Sequence, residues 1–320
     1  MTKLKEFAKE NALLTLDISY RAKVGHVGSA LSISDLVSVL YADRLNISPN
    51  NLNASNRDRF ILSKGHAAVA LYAALFQKEI LSEKQLDTFV RDEGGLCEHP
   101  EIKDPGIEMT SGSLGHGLAF GAGIAWGLKL GRLSQDDKNF LDPQLVCEKE
   151  LSHHRQKTRS LEMPFDNTQD KRSAKILSTH KPDPHVFVLI SDGECGEGST
   201  WEAALFASRM MLDNLTVIID NNGWQCFGQT ERITHLRPLA AKWRAFGFAV
   251  RKIDGHNISE IQKAYQEVPF SESKPSVIIA NTVSGHGVSQ IEDQLEGHYK
   301  VFNEDEYTKA RSEIEERYNT

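Results

Sequence analysis

VFVLISDG, residues 186–193, is the stretch from which the architecture of this chain is read. Its apolar run, Val186–Ile190, ends in Ser191-Asp192-Gly193, and a second run, Leu215–Asp220, ends in Asn221-Asn222. The residues between them read as a loop followed by a helix. The two runs are therefore expected to be parallel strands delivering an aspartate and an asparagine to the same edge of a sheet. Carboxylate and amide oxygens on neighbouring strand ends are what Mg²⁺ requires, commonly alongside phosphate. Strand carboxyl ends are also where an open α/β sheet places its ligand crevice. Taken alone, the same residues suit two ordinary strand-to-helix turns equally well, because Asp, Gly and Asn are common there for local reasons.

The flanking segments extend the alternation. Leu4 to about Ala22 spaces Leu4, Phe7, Ala8, Leu13, Leu14 and Leu16 along one face of an amphipathic helix. After a His/Gly turn, Ser34 can cap a helix carrying Leu36, Val37, Val39 and Leu40. Arg59–Leu62 is a short strand leading through Ser63-Lys64-Gly65-His66 into the helix AAVALYAALF. A second Gly/Ser turn opens a helix studded with Gly117, Gly121, Gly123 and Gly127. Glycine is unfavourable in a helix unless close packing compensates, so this helix is expected to lie against the sheet. Beyond Asn222, a helix near Leu236–Phe246, a strand at Ala249–Ile253, a helix at Ile258–Glu267 and a strand at Ser276–Asn281 complete a parallel α/β sheet flanked by helices.

Composition sets the outer bounds. The chain has 320 residues, 40% of them hydrophobic and 25% charged, an ordinary globular balance that permits one large domain or two small ones. A formal charge of −7 without a basic block argues against a nucleic-acid surface. No stretch could span a membrane, and no signal-peptide core stands at the N-terminus. The four cysteines form no metal-like pairs and suggest a reducing compartment, so a cytoplasmic protein is expected. Residues 1–320 are read as one domain interrupted by a polar insertion at about 133–184, which Pro143, Pro164, Pro182 and Pro184 break up. A run of that kind marks a lid, a binding excursion or disorder, with partial helix possible at Asp142–Lys157.

Six strings in order, GHVGSALSISDL, LSKGHAA, EHPE, TSGSLGHGLAFGAG, SDGECGEGSTWEAA and IIDNNGW, make the chain resemble the N-terminal, diphosphate-binding half of transketolases. The resemblance covers nearly all of it outside the insertion. It implies a thiamine-diphosphate-binding fold and the transfer of a two-carbon ketol unit between sugars, with thiamine diphosphate and Mg²⁺ as cofactors. Asp192 and Asn222, with the main-chain carbonyl of Trp224, would ligate the metal. Gly193 would let backbone approach the diphosphate, and His66 matches a histidine near the phosphates. Gly112 and Leu114 match the loop beside the aminopyrimidine ring. Glu197 matches a family acid in the cofactor site, and Glu202 one at the subunit contact. His26 and His99 match residues facing the sugar donor, and His298 aligns with a further histidine reaching both cofactor and substrate.

The matches come with departures. Ser191 stands for the usual glycine, and His116 replaces a common glutamine. Gly297-His298-Tyr299 replaces the usual Trp-His-Gly, and His286 is nonstandard and carries no assignment. Family members continue past the point matching Thr320 into a pyrimidine-binding domain, whose glutamate contacts the aminopyrimidine. The expectation is therefore a split enzyme, active as a heterotetramer with a C-terminal, pyrimidine-binding partner chain and acting on sugars or sugar phosphates. Two other readings stay open: a thiamine-diphosphate transferase for a specialised or modified sugar, and a non-catalytic binding or regulatory protein that keeps the fold.

Overall fold

The computed structural model describes residues 2–92, 94–132 and 184–319. Helix α1 (Lys3–Ala22) is capped by the Thr2 hydroxyl and buries Ala8, Leu13 and Leu16. Helix α2 (Val27–Val39) runs on into a π-type turn, Leu40–Arg44, followed by strand β1 (Arg59–Leu62). Next come α3 (Ala68–Gln77), the single turn α4 (Glu83–Leu86) and the glycine-rich α5 (Gly117–Arg132). Strand β2 (Val186–Ser191), helix α6 (Gly198–Arg209) and strand β3 (Leu215–Asn221) form the crossover expected from the two apolar runs. A small hairpin, β4 (Trp224–Gln225) and β5 (Gly228–Gln229), leads into the short helices α7 (Thr230–Ile233) and α8 (Leu239–Ala245). Strand β6 (Ala249–Asp254), helix α9 (Ile258–Gln266), strand β7 (Ser276–Asn281) and helix α10 (Glu304–Asn319) follow.

The five long strands form one parallel sheet in the order β1-β2-β3-β7-β6. Period-two alternation divides their side chains between two cores. Phe187, Leu189, Ile218 and Ile278 face the layer built by α2, α3 and α9. Val188, Ile190, Val217 and Ile279 face the layer of α5, α6 and α8. Both faces are covered, which is why the central strands β2, β3 and β7 are largely apolar runs rather than alternating, whereas the edge strand β6 carries Arg251 and Lys252 and is only partly buried. A third cluster joins α1 to α10, where Tyr20 stacks on Tyr307 at 4.1 Å and Arg311 holds Asp17 at 2.7 Å. Among the described residues no helix is long and apolar enough to cross a membrane.

One expectation needs correction, and another, that the glycine-rich helix lies against the sheet, is met through part of its glycines. Ser34 does not cap a helix: α2 already begins at Val27, and Ser34 lies within it, its hydroxyl donating to Asn11 Oδ1 at 2.9 Å. Every residue of α2 is buried, so it has no polar face and no periodicity from which its start could be read. Its early glycine is required by packing, since a Cβ on Gly28 would stand 2.7 Å from the Gly297 carbonyl oxygen. The glycine-rich helix α5 meets the sheet with only part of its glycines. A Cβ on Gly121 would strike Val188 at 2.3 Å, whereas among the described residues nothing lies within 4 Å of a Cβ on Gly123, Gly127 or Gly131. The insertion, apart from Pro184, and the helix considered at Asp142–Lys157 lie outside the described residues.

Candidate functional site

Asp192 and Asn222 stand just beyond the ends of adjacent strands, in the register that pairs Ser191 with Asp220. Asp192 Oδ1 accepts from the Gly193 N–H at 2.8 Å and Oδ2 from the Gly223 N–H at 3.0 Å. Asn222 Oδ1 accepts from the Trp224 N–H at 2.9 Å, and its amide donates to Ser32 Oγ at 3.2 Å and Asp220 Oδ2 at 3.0 Å. The two strand ends are thus locked to each other through their own loops. The Trp224 indole is fixed separately, donating to Asp293 Oδ1 at 2.7 Å.

Asp192 is almost wholly buried and forms no ion pair among the described residues. Burial first, then the nearby charge of Asp220, pushes its carboxyl up to about 7. A buried carboxyl without a counter-ion, set beside an amide oxygen, is a hard-oxygen donor set that fits Mg²⁺. A Cβ on Gly193 would first meet the flexible Gln225 side chain, at 3.1 Å.

Beneath this edge lies a charged layer that the sequence did not disclose. Lys64 is buried and pairs with the fully buried Asp220, and its ammonium also donates to the Ser29 carbonyl at 3.3 Å. Asp220 accepts further from Ser32, at 2.6 Å, and from the Thr282 hydroxyl. Glu194, equally buried, accepts from the Gly115 N–H and the Ser191 N–H at 2.9 Å each and from the Ser63 hydroxyl. One carboxylate therefore ties together the end of β1, the loop before α5 and the end of β2.

The loop before α5 shows why it is rich in glycine. Gly112 has φ of +135°, and a Cβ there would lie 3.1 Å from His99 Cδ2. A Cβ on Gly115 would lie 2.6 Å from Ser199 Oγ and 2.7 Å from Glu197 Cβ, and Ser199 Oγ donates to the Gly115 carbonyl at 2.9 Å. Glu197 thus buttresses this loop with its backbone end while its side chain stays exposed at the start of α6. Leu114, at the tip of the loop, is 38% exposed.

Three of the expected histidines meet directly. The His26 and His298 rings pack edge-on at 4.9 Å, with His66 5.4 Å from His26 and 5.5 Å from His298. His26 is the left-handed residue ahead of α2, with φ of +63°, and its N–H donates to the His298 carbonyl at 2.9 Å. Burial, followed by Lys64 and the neighbouring imidazoles, holds His66 well below the usual histidine range. Burial, His26 and Lys64 bring His298 down to about 4. Both rings are therefore neutral at physiological pH. His99 joins the group from the side, against Gly112 and within electrostatic reach of His66. Lys64 connects the two halves of the site, acting on His66 and His298 while neutralising the carboxylate that orients Asn222.

His286 lies elsewhere, stacked on His256 at 3.5 Å beside the buried Asp35. This cluster is already satisfied. Asp35 receives Arg317 at 2.6 Å and His256 Nδ1 at 2.9 Å, while His256 Nε2 accepts from the Val283 N–H at 2.9 Å. A cation here would have to displace Arg317, so the group reads as a clamp holding the end of α10.

Residues 4–145 and 165–317 match the family model described as transketolase, thiamine diphosphate binding domain. Over 97% of its length the chain is 32% identical to an apulose-4-phosphate transketolase chain of Phocaeicola vulgatus, named as one subunit of that enzyme, and covers 93% of it. It is 35% identical over 94% of its length to 92% of the 6-deoxy-6-sulfo-D-fructose transketolase subunit SqwG of a Clostridium species. Among solved structures, it superposes on transketolase from Campylobacter jejuni with a TM-score of 0.76 and 28% identity. That superposition covers 98% of this chain but only 42% of the other.

Proposed function

The chain belongs to the transketolase family through its thiamine diphosphate binding domain, and on that premise we propose that it is the diphosphate-binding subunit of a two-chain ketol transferase. The observation that carries this reading is the junction, through Lys64 and Asp220, of an oxygen-donor pair at two strand ends with a cluster of three imidazoles. When bound, thiamine diphosphate supplies the carbanion and the electron sink for cleaving a ketose next to its carbonyl.

The chain's own residues do the rest. Asp192 and Asn222, with the Trp224 carbonyl, hold Mg²⁺, and Gly193 and His66 receive the diphosphate. Gly112, Leu114 and Glu197 shape the wall where the aminopyrimidine lies, and His298 borders both cofactor and sugar. His26, His99 and His298 move protons on and off the sugar hydroxyls and donate to the oxyanion that develops there. Imidazoles suit both tasks near pH 7. Residues 1–320 act as one domain, and the unpaired Cys97, Cys195 and Cys226 favour a cytoplasmic setting.

The substrates are sugars or sugar phosphates. The names of the two relatives, one for a branched-sugar phosphate and one for a sulfonated ketose, favour a modified sugar. The partner is a pyrimidine-binding chain, a reading supported by near-full-length matches to proteins named as subunits. A two-fold heterotetramer is the simplest closed assembly. Its contact surface is the exposed side of α5 and α6, where Phe120, Leu205 and Phe206 stand 53%, 59% and 37% exposed. Co-expression with the partner, followed by a ketol-transfer assay with thiamine diphosphate and Mg²⁺, tests the proposal. Full activity from the isolated chain would overturn the two-chain reading; an assembled pair that neither binds the cofactor nor transfers ketol would overturn the enzymatic one.

A further inference from the structure

Of the four site histidines, only His26 has a hydrogen-bonded ring nitrogen among the described residues. Its Nδ1 lies 3.0 Å from Glu98 Oε1, and its Nε2 has no hydrogen-bond partner there. An ionised carboxylate can only accept, so the proton in this bond must sit on Nδ1. We infer that Glu98 is a positioning residue which holds His26 as the Nδ1–H tautomer and leaves Nε2 as a proton acceptor for the sugar hydroxyl. The inference rests on the ketol-transfer reading and adds to it a residue that none of the expected site positions includes.

The arrangement around the pair is built to aim one ring. The His26 backbone is left-handed, a conformation that a non-glycine residue keeps only where its surroundings impose it. Its N–H is held by the His298 carbonyl, and its ring is bounded by His298, His66 and Tyr299. Glu98 is anchored from both sides of its segment. The hydroxyl of Tyr72, on α3, donates to the Cys97 carbonyl at 2.9 Å, and the Ser111 N–H donates to the Pro100 carbonyl at 3.1 Å. The chemistry gives this a purpose. Among the described residues, His66, His99 and His298 have no partner to choose their tautomer. A site needing one dependable base must therefore fix it from outside, and a carboxylate is the usual means.

The test uses the chain assembled with its partner and compares wild type with Glu98→Ala and Glu98→Gln. Nitrogen-15 spectra of histidine-labelled protein report which ring nitrogen of His26 carries the proton, independently of activity. The Nδ1–H form is expected in wild type and a mixed or Nε2–H form in Glu98→Ala. Turnover is expected to fall about 10–100-fold in Glu98→Ala, with thiamine-diphosphate affinity unchanged and Glu98→Gln, which can still accept through its amide oxygen, retaining more activity. An unchanged His26 tautomer in Glu98→Ala, or a shifted tautomer with unchanged turnover, would overturn the inference. Were the wild-type assembly inactive in ketol transfer, the functional reading would fail on that result, while the spectra would still decide whether Glu98 sets the tautomer.

Discussion

Lys64 and Asp220 form an ion pair in the interior of the protein, with their side chains 1% and 0% exposed. Asp220 also accepts from Ser32, Thr282 and Asn222, so its charge is shared among four donors from separate parts of the chain. Such a pair adds little net stability over an apolar substitute, yet removing one partner strands the other. Its value lies in specificity: it fixes how the β1–α3 loop, α2 and the end of β3 meet beneath the candidate metal ligands.

Lys64→Met should therefore destabilise the chain by about 3–5 kcal/mol, because Asp220 is left charged and buried. Adding Asp220→Asn should recover much of that loss without recovering cofactor binding. Urea unfolding of the two variants checks this. A single variant as stable as wild type would show that Asp220 is not charged in the folded chain.

Asp192→Ala should leave the fold intact and weaken Mg²⁺-dependent thiamine-diphosphate binding by about 100-fold or more, beyond the range for outer residues that merely orient a ligand. The substitution removes a buried carboxyl that has no counter-ion among the described residues, so the metal-free chain should lose no more stability than the bonds to the Gly193 and Gly223 N–H groups provided. Calorimetric titration of the assembled protein measures the first effect and thermal melting the second. Equal affinity in variant and wild type would remove Asp192 from the metal site.

Acid should weaken the fold through its buried histidines. Burial, and then Arg44, pushes His185 down to about 3, while its Nε2 lies 2.7 Å from Thr216 Oγ1. The folded-state value is below the unfolded value of 6.5, so the unfolded chain takes the proton first. The contribution is complete above pH 6.5 and shrinks by up to about 1.4 kcal/mol per pH unit below it. Urea midpoints of wild type and His185→Gln, compared between about pH 7.5 and 5, isolate this histidine from other titrations. The wild-type advantage should narrow as pH falls, and a constant gap would contradict the assignment.

The strands and most helices were legible because buried parallel strands leave unbroken apolar runs, and Asp192, Asn222 and the Gly/His turns sit at their ends. What escaped the sequence is instructive. Helix α2 is buried all round, so no change of period marks its start, and a serine within it, Ser34, reads as readily as a cap. Lys64, Asp220, Glu194 and Glu98 look in the sequence like solvated charges, because nothing local tells of the partners that arrive from 62 to 188 residues away. For Lys64 there was one clue, its place in a short loop between an apolar strand and an apolar helix.

The glycines of α5 offer a test that separates the isolated chain from the assembly. Gly123 and Gly127 have helical backbone, and among the described residues nothing lies within 4 Å of a Cβ placed on either. In the free chain, Gly123→Ala should thus stabilise by about 0.5–1 kcal/mol through helix propensity alone. Nothing among the described residues accounts for glycine at these positions, whereas close approach of another helix would. Beside them, Phe120 on α5 and Leu205 and Phe206 on α6 leave apolar surface open to solvent. If the partner chain packs here, Gly123→Leu should weaken assembly while leaving the isolated chain folded, and Leu205→Glu should do the same. Thermal melting of the isolated chain and light scattering of the co-expressed pair read the two effects separately. A pair that assembles with undiminished mass and affinity in both variants would place the contact on another face.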